Sequence, residues 1–597
     1  MCAIAGIISF NNCGIRNDSL FKMRESLKHR GPDDTGVFIS EDKKVAFIHN
    51  RLSIIDLSFS GHQPMSNGNG TIWIVFNGEI YNFLELKKEL QALGHSFQSS
   101  SDTEVIIKVY QQWGEEAFDK LNGMFALALY DGNKEFIYLI RDHIGIKPLY
   151  YCFSENQVIF ASEIKAFKAL NSNWEMNPDW KIQFLAFGFI PEPHTYLKDV
   201  YALPKASVLR LELNYRRHAF NRYSNLIFKD DIKDLNKAKA LLRGSFRKAV
   251  KRHLVSDAPI GVFLSGGIDS SLIAGIASGF RDKLNTLSII FDEKEFTEEY
   301  YQQVIAKKIN SNHSFHKITG PDFLNCVDDI FKAMDQPTID GINTYFISKC
   351  AKEAGLKTVL SGIGGDELFG GYPSFNRIDK IWHLKHFGVK FKRIFSAGEY
   401  LYGDKYKKAA FLSLAYPLSF YLFFRGLFTP DTISKILGCT VSDIHCALAK
   451  VKLSDPLPFG RKNFVSHMET DFYMSNQLLR DTDFMSMWHS IEARVPFLDK
   501  ELMSLVLSIA EKIKFNDQQY KFLLVESFKD ILPNEIIYRE KAGFTFPFQR
   551  WMNGNISFFS EMIINRNKTV NKLIEKFKND EVGWGKYWAL VVLNKMG

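Results

Sequence analysis

Residues 259–271 read PIGVFLSGGIDSS, a short apolar run that passes directly into a glycine-rich turn. The run has the length of a buried strand, and the turn ends where a helix can begin. Backbone N–H groups of such a turn face an anion, and the following helix dipole adds to the attraction. Ser265, Ser270 and Ser271 add hydroxyl donors, while Asp269 offers the hard oxygen that Mg²⁺ prefers. The lysine of an ordinary GxxxxGK(S/T) phosphate loop is absent.

A second turn of the same design follows the apolar run KTVL at 357–360 and reads SGIGGDE at 361–367. It carries Asp366 as a second candidate metal ligand. Ligands of a parallel sheet bind at the carboxyl ends of its strands, so we expect the two turns to face each other. Two such turns fit a magnesium-bound nucleotide with its phosphates between them. For either turn alone, the alternative is a structural turn with a surface aspartate.

The pattern of apolar residues differs between the two halves of the chain. Residues 1–205 show alternating apolar runs such as TIWIVFNGEIYN and MFALALYD, which are typical of an antiparallel β layer. From residue 236 to residue 597, short apolar runs alternate with helical stretches, the pattern of a parallel sheet covered by helices, and beyond about residue 376 the chain is mostly helical. Residues 206–235 are interpreted as the connection.

Composition bounds the protein class. With 597 residues, two or more domains are expected, and 46% hydrophobic and 24% charged residues are ordinary for a folded soluble protein. Seven cysteines without CxxC spacing argue against a zinc site or a disulfide framework and indicate a reducing cytoplasm. The N-terminus lacks signal-peptide features. A net charge of +8, spread along the chain, disfavours nucleic acid and fits anionic small substrates.

Four motifs together carry a family resemblance. SGGIDSS resembles the PP-loop of ATP pyrophosphatases, which form acyl-adenylates. Together with SGIGGDELFGGY, IEARVPFLD and YREKAGF at 361–372, 491–499 and 538–544, it makes the chain resemble asparagine synthetases of the glutamine-hydrolysing type. The resemblance implies an α/β protein with an N-terminal Ntn-hydrolase-like αββα sandwich and a PP-loop ATPase-type α/β domain. It also implies ATP and Mg²⁺ as cofactors, and a homodimer is compatible with it.

The resemblance implies that the first half of the chain supplies ammonia to the second. Removal of Met1 leaves Cys2 N-terminal, where the thiol lies next to its own α-amine, whose pKa of about 8 lets it accept the thiol proton. A small buried cysteine at a chain start is the alternative. MCAIAGI resembles the opening of class II glutamine amidotransferases, with Ala3 where glycine is usual. Further motifs follow in that family's order: HRGPDD (29–34), RLSIIDL (51–57), FNGEIYN (76–82) and SDTE (101–104).

The resemblance assigns glutamine-binding roles within these motifs. Arg51 offers a planar fork for the substrate α-carboxylate, and Asp102 pairs with its α-ammonium. Asn77 and the Gly78 backbone N–H hold the oxyanion, and Glu79 completes the polar lining. The resemblance also places 141–151 (RDHIGIKPLYY) and 161–166 (ASEIKA) near the interface that ammonia crosses.

The second half receives the corresponding synthetase roles. Asp269 and Asp366 are expected to hold Mg²⁺ against the pyrophosphate group, and Lys541 is expected to neutralise charge in the transition state. A solvated surface lysine is the alternative for Lys541. Tyr372 completes the catalytic set. The expected nucleotide-binding residues are Ser265, Gly266, Gly267, Asp269 and Ser270 at the phosphates, and Ile289, Ser361 and Gly362 at the adenine and ribose.

The acceptor carboxylate is less defined, because three positions depart from the family pattern. Ile363 stands where asparagine synthetases often carry an acid, and Glu367 is a candidate to compensate. Phe484 replaces a usual basic residue, and Asp340 lies near an arginine of some members. Three hypotheses follow: asparagine synthesis from L-aspartate, the same chemistry on another carboxylate such as a uronic-acid sugar of a surface polysaccharide, and a degenerate, non-enzymatic nucleotide-binding regulator. The intact site residues disfavour the third.

The helical region 376–470 has no role in this scheme. Its stretch 383–395 (HLKHFGVKFKRIF) is basic and apolar, so it suits either a membrane surface or an amphipathic core helix, the preferred alternative. The most apolar window, 409–424, is too short for a membrane span and predicts a buried helix pair. We therefore expect a cytoplasmic enzyme, with membrane association through 381–424 as the less favoured alternative.

Overall fold

A computed structural model describes residues 2–11, 14–386, 407–453, 460–516, 519–540, 543 and 545–596. The N-terminal half contributes twelve described strands. They are Ala3–Ser9 (β1), Asp34–Ile39 (β2), Val45–Arg51 (β3), Met65–Ser66 (β4), Ile72–Ile80 (β5), Gly123–Asp131 (β6), Phe136–Arg141 (β7), Tyr150–Phe153 (β8), Gln157–Ala161 (β9), Val200–Ala202 (β10), Ser207–Glu212 (β11) and Arg217–Arg222 (β12).

These strands form two antiparallel six-stranded sheets, in the orders β10-β8-β9-β1-β3-β2 and β12-β11-β7-β6-β5-β4. The sheets pack face to face through alternate side chains such as Ile4 and Phe47 from one and Val75 and Ala128 from the other. Helices cover both outer faces. Those of this half are Asn17–Ser26 (α1), Phe83–Ala92 (α2), Asp102–Trp113 (α3), Ala117–Lys120 (α4), Lys165–Leu170 (α5) and Trp180–Phe187 (α6). The predicted αββα sandwich is confirmed.

The hairpin β11–β12 belongs to this sandwich, since β11 pairs with β7. Residues 206–235, which the sequence predicts as a connection, therefore begin with two strands of the second sheet. The stretch SVLRLE forms a strand of the sandwich because Val208, Leu209 and Leu211 are buried. The partner strand β12 is largely exposed, so its sequence resembles a polar loop.

The second half contains a five-stranded, wholly parallel sheet of Ile260–Phe263 (β13), Asn285–Ile290 (β14), Asn312–Lys317 (β15), Thr358–Leu360 (β16) and Glu492–Arg494 (β17). Its order is β15-β14-β13-β16-β17. The chain winds outward from β13 in one direction and returns to add β16 on the other side. The edge between β13 and β16 is thus a topological switch point, where ligands of open α/β sheets bind.

Helices connect and cover this sheet. They are Leu235–His253 (α7), Ile268–Ala277 (α8), Glu299–Lys308 (α9), Gly320–Ala333 (α10), Ile342–Glu353 (α11) and Gly365–Phe369 (α12). The described helices of the C-terminal part are Ser374–Ile381 (α13), Leu418–Arg425 (α14), Pro430–Leu437 (α15), Val441–Ala449 (α16), Arg461–Met468 (α17), Leu479–Trp488 (α18), Lys500–Ser508 (α19), Glu511–Lys514 (α20), Phe522–Phe528 (α21), Asn534–Ile537 (α22), Phe548–Gly554 (α23), Ile556–Glu561 (α24), Lys568–Lys578 (α25) and Trp584–Met596 (α26). A wide π-helical segment, Glu469–Leu478, joins α17 to α18.

The apolar window 409–424 forms a 3₁₀ helix, Lys408–Ser413, and α14, which pack together with Phe411 and Phe420 buried. The predicted buried helix pair is confirmed. Among the described residues, no helix is both long and apolar enough to cross a membrane. Most of the basic stretch 383–395 lies outside the described residues.

Candidate active sites

Cys2 lies at the start of β1, where its side chain is buried against the sandwich. Its backbone nitrogen donates a hydrogen bond to Asn77 Oδ1 at 3.1 Å, and its Sγ lies 4.0 Å from the carbonyl oxygen of Leu52. Burial raises the pKa of the Cys2 thiol. The thiol is therefore held neutral and needs a neighbouring base to react.

Asn77 and Gly78 follow each other in β5, directly beside this thiol. Asn77 is fully buried, and its Nδ2 has no hydrogen-bond partner among the described residues. A buried donor without a partner is rare and calls for an explanation. Because Oδ1 is already held by Cys2, the amide group is oriented with its Nδ2 donor available, as a developing oxyanion requires.

Arg51, at the end of β3, is buried and held by the following loop. One guanidinium nitrogen donates to the Ser58 carbonyl at 2.8 Å, and another donates to the Asp56 carbonyl. The positive charge therefore faces backbone oxygens and lacks a carboxylate partner among the described residues. Such a cation can accept a substrate carboxylate without first breaking an ion pair.

Two buried carboxylates complete this group of predicted glutaminase residues. Asp102, at the start of α3, accepts a hydrogen bond from the backbone N–H of Ile80 at 2.9 Å, and burial raises its pKa to about 6. Burial, followed by the nearby Glu492, also raises the pKa of Glu79. Glu79 lies 3.4 Å from a guanidinium nitrogen of Arg494, which comes from the other domain.

Buried ion pairs join the two domains next to Cys2. Arg30 donates to the Cys2 carbonyl at 3.2 Å and pairs with Glu163 and with Asp483, both at 2.7 Å. Lys147 lies 3.3 Å from the same Asp483 carboxylate. Arg30, Lys147 and Glu163 lie in segments that resemble the family, but the network is not visible from the sequence, since the shared partner Asp483 comes from a remote helix.

The segment 141–147 is held tightly at this interface. The Asp142 carboxylate accepts hydrogen bonds from four successive N–H groups of residues 144–147. His143 contacts the Leu498 carbonyl at 2.8 Å, across the domain boundary. The segment thus lies at the interface, as the sequence resemblance places it, and its role in ammonia transfer stays a prediction.

In the second domain, the two glycine turns meet at the switch point. The turn after β13 leads into α8 and the turn after β16 leads into α12. They approach so closely that a Cβ at Gly365 would overlap the Asp269 carboxylate. Gly364 has φ of 99°, a left-handed conformation that favours glycine. These glycines are therefore required by geometry.

Asp269 and Asp366 converge on one ammonium group. Lys521 is buried and forms ion pairs with both carboxylates, so the two predicted metal ligands share a single cation position. Two hard carboxylate donors beside the two glycine turns fit Mg²⁺, which usually binds through one or two carboxylates plus phosphate oxygens. Lys521 lies in none of the motifs quoted from the sequence, and only folding brings it here.

A cavity of about 370 Å³ opens between the two turns, and we call it the nucleotide chamber. Its size is that of a small-molecule site. Every predicted nucleotide-binding residue except Gly266 lines it: Ser265, Gly267, Asp269, Ser270, Ile289, Ser361 and Gly362. Asp366 and Tyr372 line it as well. Gly266 instead offers its carbonyl to Arg539 at 2.9 Å.

Comparison with known proteins agrees with this geometry. Residues 1–224 match the family described as a glutamine amidotransferase domain, and residues 241–576 match the family described as asparagine synthase. The chain belongs to the asparagine synthase family. It is a glutamine-dependent ligase of that ATP-using family, and the predicted two-domain architecture is confirmed.

Curated relatives span most of the chain. Glutamine-hydrolyzing asparagine synthetase 1 of Bacillus subtilis strain 168 is 32% identical over 577 residues, which cover 95% of this chain and 90% of that relative. A putative asparagine synthetase 2 of Methanocaldococcus jannaschii is 36% identical over 416 residues, covering 65% and 79%. Asparagine synthetase B of Escherichia coli K12 is 27% identical over 573 residues, covering 91% and 82%.

Within this chain, the departures from the family pattern separate into two groups. Ile363 and Asp340 line the nucleotide chamber, so both can contact an acceptor. Phe484 is buried in the hydrophobic core and does not line the chamber. Phe484, one of the three departures that leave the acceptor open, is therefore not part of the chamber lining, because its helix turns that side chain toward the core.

Glu367, four residues after Ile363, also lines the chamber, as does the proposed metal ligand Asp366. It accepts hydrogen bonds from the Tyr372 hydroxyl at 2.6 Å and from the Gly364 N–H at 3.1 Å. Burial, with the charge of Asp366, raises its pKa to about 7. A carboxyl group with this pKa exchanges protons readily near neutral pH.

Lys541, the predicted transition-state lysine, lies outside the described residues. Its motif is nevertheless anchored beside the first turn, since Arg539 contacts the Gly266 carbonyl and pairs with Glu298. The proposed role of Lys541 remains a prediction.

Proposed function

We propose that this chain hydrolyses glutamine at Cys2 and transfers the ammonia to a carboxylate that it has activated with ATP, releasing glutamate, AMP and pyrophosphate. The observation that carries the proposal is the convergence of Asp269 and Asp366 on Lys521, in the same chain as the buried Cys2–Asn77 pair. Neither half alone provides both ammonia and an electrophile.

In the first half, the Cys2 thiol attacks the glutamine amide carbon. Loss of Met1 makes the Cys2 nitrogen an amine, which takes the thiol proton. Asn77 Nδ2 stabilises the oxyanion, while Arg51 and Asp102 bind the two charged groups of the α-carbon. Collapse of the tetrahedral intermediate expels ammonia and leaves a thioester, which water then cleaves to glutamate.

In the second half, an acceptor carboxylate oxygen attacks the α-phosphorus of ATP, and the bond to pyrophosphate breaks. The serine hydroxyls and N–H groups of the first turn bind the phosphates. Asp269 and Asp366 would hold Mg²⁺, which when bound neutralises charge on the departing pyrophosphate. Lys541 is proposed to act on the same charge.

Amide formation follows in the same chamber. Ammonia attacks the acyl carbon, the bond to AMP breaks, and one proton must leave the nitrogen. Ile363 cannot accept that proton, whereas Glu367 can, because it is buried, lines the chamber and has a pKa of about 7. Tyr372 orients the Glu367 carboxylate through its hydroxyl.

L-aspartate, converted to L-asparagine, is the acceptor that the names of the relatives favour. A second candidate is a hydroxylated carboxylate such as a uronic-acid sugar. It is favoured by the described lining of the nucleotide chamber, which contains five acids and no Lys, Arg or His: Asp269, Asp340, Asp366, Glu367 and Asp481. Carboxylates accept hydrogen bonds from sugar hydroxyls, and the described lining offers no cation for the α-carboxylate of aspartate.

The decisive experiment measures pyrophosphate release by the full-length enzyme with ATP, Mg²⁺ and glutamine across L-aspartate, glucuronate and galacturonate. Pyrophosphate release that depends on one acceptor, with one glutamate formed per amide, supports the proposal and names the acceptor. Glutamine hydrolysis without pyrophosphate release for any acceptor would contradict it.

A further inference from the structure

A second cavity of about 320 Å³ adjoins the nucleotide chamber, and we call it the aromatic chamber. The two cavities share Asp340, Asn343 and Tyr473 in their walls. The two cavities are therefore direct neighbours. The volume of the second chamber is itself that of a small-molecule site.

Aromatic side chains form a large part of the wall of the aromatic chamber. Its aromatic lining residues are Phe187, Tyr421, Tyr473, Phe548 and Trp584. Ring-shaped ligands pack well on such faces, whether the ligand ring is aromatic or the apolar face of a sugar.

The polar groups of the chamber favour a hydroxylated ring. Tyr421 is only 2% exposed, and its hydroxyl has no hydrogen-bond partner among the described residues. The side chains of Asn343 and Gln477 lie in the same wall, with the Asp340 carboxyl. A buried hydroxyl without a partner carries a desolvation penalty unless a ligand satisfies it, and an amide offers both a donor and an acceptor.

The charge of the chamber does not favour a second anion. Arg425 is the positively charged side chain in the described lining of the chamber, and it pairs with Glu469 at 2.6 Å. The guanidinium also stacks on Tyr473, 3.5 Å from the ring centroid, and lies 4.5 Å from that of Tyr372. Because this charge is already balanced, the chamber suits a neutral polar ring better than a carboxylate.

Part of the chamber wall comes from the helical region 376–470, which has no assigned role, and part comes from the segment that follows it. Tyr421 and Arg425 belong to α14, and Tyr473 and Gln477 belong to the π-helical segment Glu469–Leu478. Such segments occur frequently at functional sites, because the wider turn re-aims side chains. The helical region thus shapes the acceptor side of the synthetase.

We propose that the aromatic chamber binds a glycosyl unit attached to the acceptor, so that the substrate is a carboxylated glycoside longer than one sugar. The reacting carboxylate lies in the nucleotide chamber and the neighbouring sugar ring lies on the aromatic walls. This inference rests on the proposed amidation and deepens it by naming the substrate class.

The test compares acceptors of different length in the full-length enzyme. Pyrophosphate release is measured with L-aspartate, with glucuronate and galacturonate, and with the corresponding uronic-acid disaccharides. We expect a disaccharide to exceed its monomer by about tenfold in kcat/KM, the effect of a modest additional interaction. Tyr421→Phe, which keeps the ring and removes the hydroxyl, should lower the disaccharide value by about three- to tenfold and leave the monomer value unchanged. Tyr201→Phe, on a strand of the first domain, is the matched control.

The following results would overturn the glycosyl site, the proposed amidation or both. Disaccharides that react no better than monomers, or a Tyr421→Phe effect equal for both, overturn the glycosyl site. Activity with L-aspartate alone also overturns it while leaving the amidation intact. Absence of pyrophosphate release with every acceptor, while glutamine is still hydrolysed, rejects the proposed function and the inference with it.

Discussion

A guanidinium nitrogen of Arg494, in the parallel sheet, lies 3.4 Å from the Glu79 carboxylate of the glutaminase half. The Arg494 backbone carbonyl accepts a hydrogen bond from Ser361 N–H at 2.8 Å, at the start of the second glycine turn. Its Nε lies 2.5 Å from Glu492. One residue therefore contacts the lining of both predicted sites, and it is fully buried.

Replacement of Arg494 should uncouple the two sites. In Arg494→Lys, a charge remains but the fork that spans Glu79 and Glu492 is lost, so we expect glutamine hydrolysis to exceed amide formation. Arg494→Ala should also lower the free energy of unfolding by about 3–5 kcal/mol, because it leaves buried carboxylates unpaired. The ratio of glutamate to amide and a denaturant titration measure the two effects. Arg210→Lys, at a partly exposed side chain of β11, is the control. An unchanged ratio in Arg494→Lys would contradict the coupling.

Cys2→Ala should remove glutamine-dependent activity and retain activity with ammonium salts. The thiol is the only proposed nucleophile for the amide, so the glutamine rate should fall by at least about 10³-fold. Glutamate release and pyrophosphate release are assayed in parallel, with the exposed Cys446→Ser as the control. Loss of the ammonium-dependent reaction as well would show that Cys2 is required for folding or for the second site.

Asp269→Asn should abolish pyrophosphate release and spare glutamine hydrolysis. It removes one of two carboxylates proposed to hold Mg²⁺, and we expect a fall of about 10²–10³-fold in the synthetase rate. Chelation of Mg²⁺ in the parent enzyme should produce the same selective loss. Asp282→Asn, at an exposed site, is the control. If Asp269→Asn releases pyrophosphate at the parent rate, Asp269 is not part of the synthetase site.

Glu367→Gln should lower amide formation by about 10²–10⁴-fold, the range for loss of a general base. Because the Glu367 pKa is raised to about 7, the parent rate should increase with pH through that value as the carboxyl loses its proton. The glutamine-dependent rate is followed from pH 5.5 to pH 8.5 (roughly 1.5 pH units on either side of the Glu367 pKa). If the variant retains the same rising limb, another group accepts the proton.

Glutamine binding should weaken as the pH falls through about 6. Burial raises the Asp102 pKa to that value, so protonation below it removes the negative charge proposed for the substrate ammonium. The KM for glutamine should therefore rise on acidification, with a smaller change in kcat. In Asp102→Asn the KM should be high at every pH, whereas Asp42→Asn, at an exposed turn, should behave as the parent; a pH-independent KM in the parent enzyme argues against this role.

Several parts of the fold are readable directly from the residues. The run PIGVFL and the turn that follows it are local signals, since strand, turn and helix start lie within about a dozen residues. The same strand and glycine turn recur at KTVL, and apolar runs alternate with helical stretches as in a parallel sheet. These two patterns suffice to predict that the turns face each other. The hairpin β11–β12 was missed because one of its strands is polar and exposed, so its alternation resembles a loop.

Other parts depend on contacts between remote segments. Lys521 reaches Asp269 and Asp366 from about 150 or more residues away in the chain. Phe484 replaces a basic residue that is usual in the family, but its burial gives it a packing role. The direction in which a helical side chain points depends on the neighbours of the helix, and these are not local properties.

The sequence by itself determined the chemistry: a thiol near the N-terminus, two glycine turns with one aspartate each, and the order of motifs that belongs to the asparagine synthase family. Only the tertiary structure decided how the two sites touch through Arg494 and which space the acceptor can fill. The physical reason is that a turn is shaped by its own residues, whereas a cavity is shaped by the packing of segments that are distant in the chain.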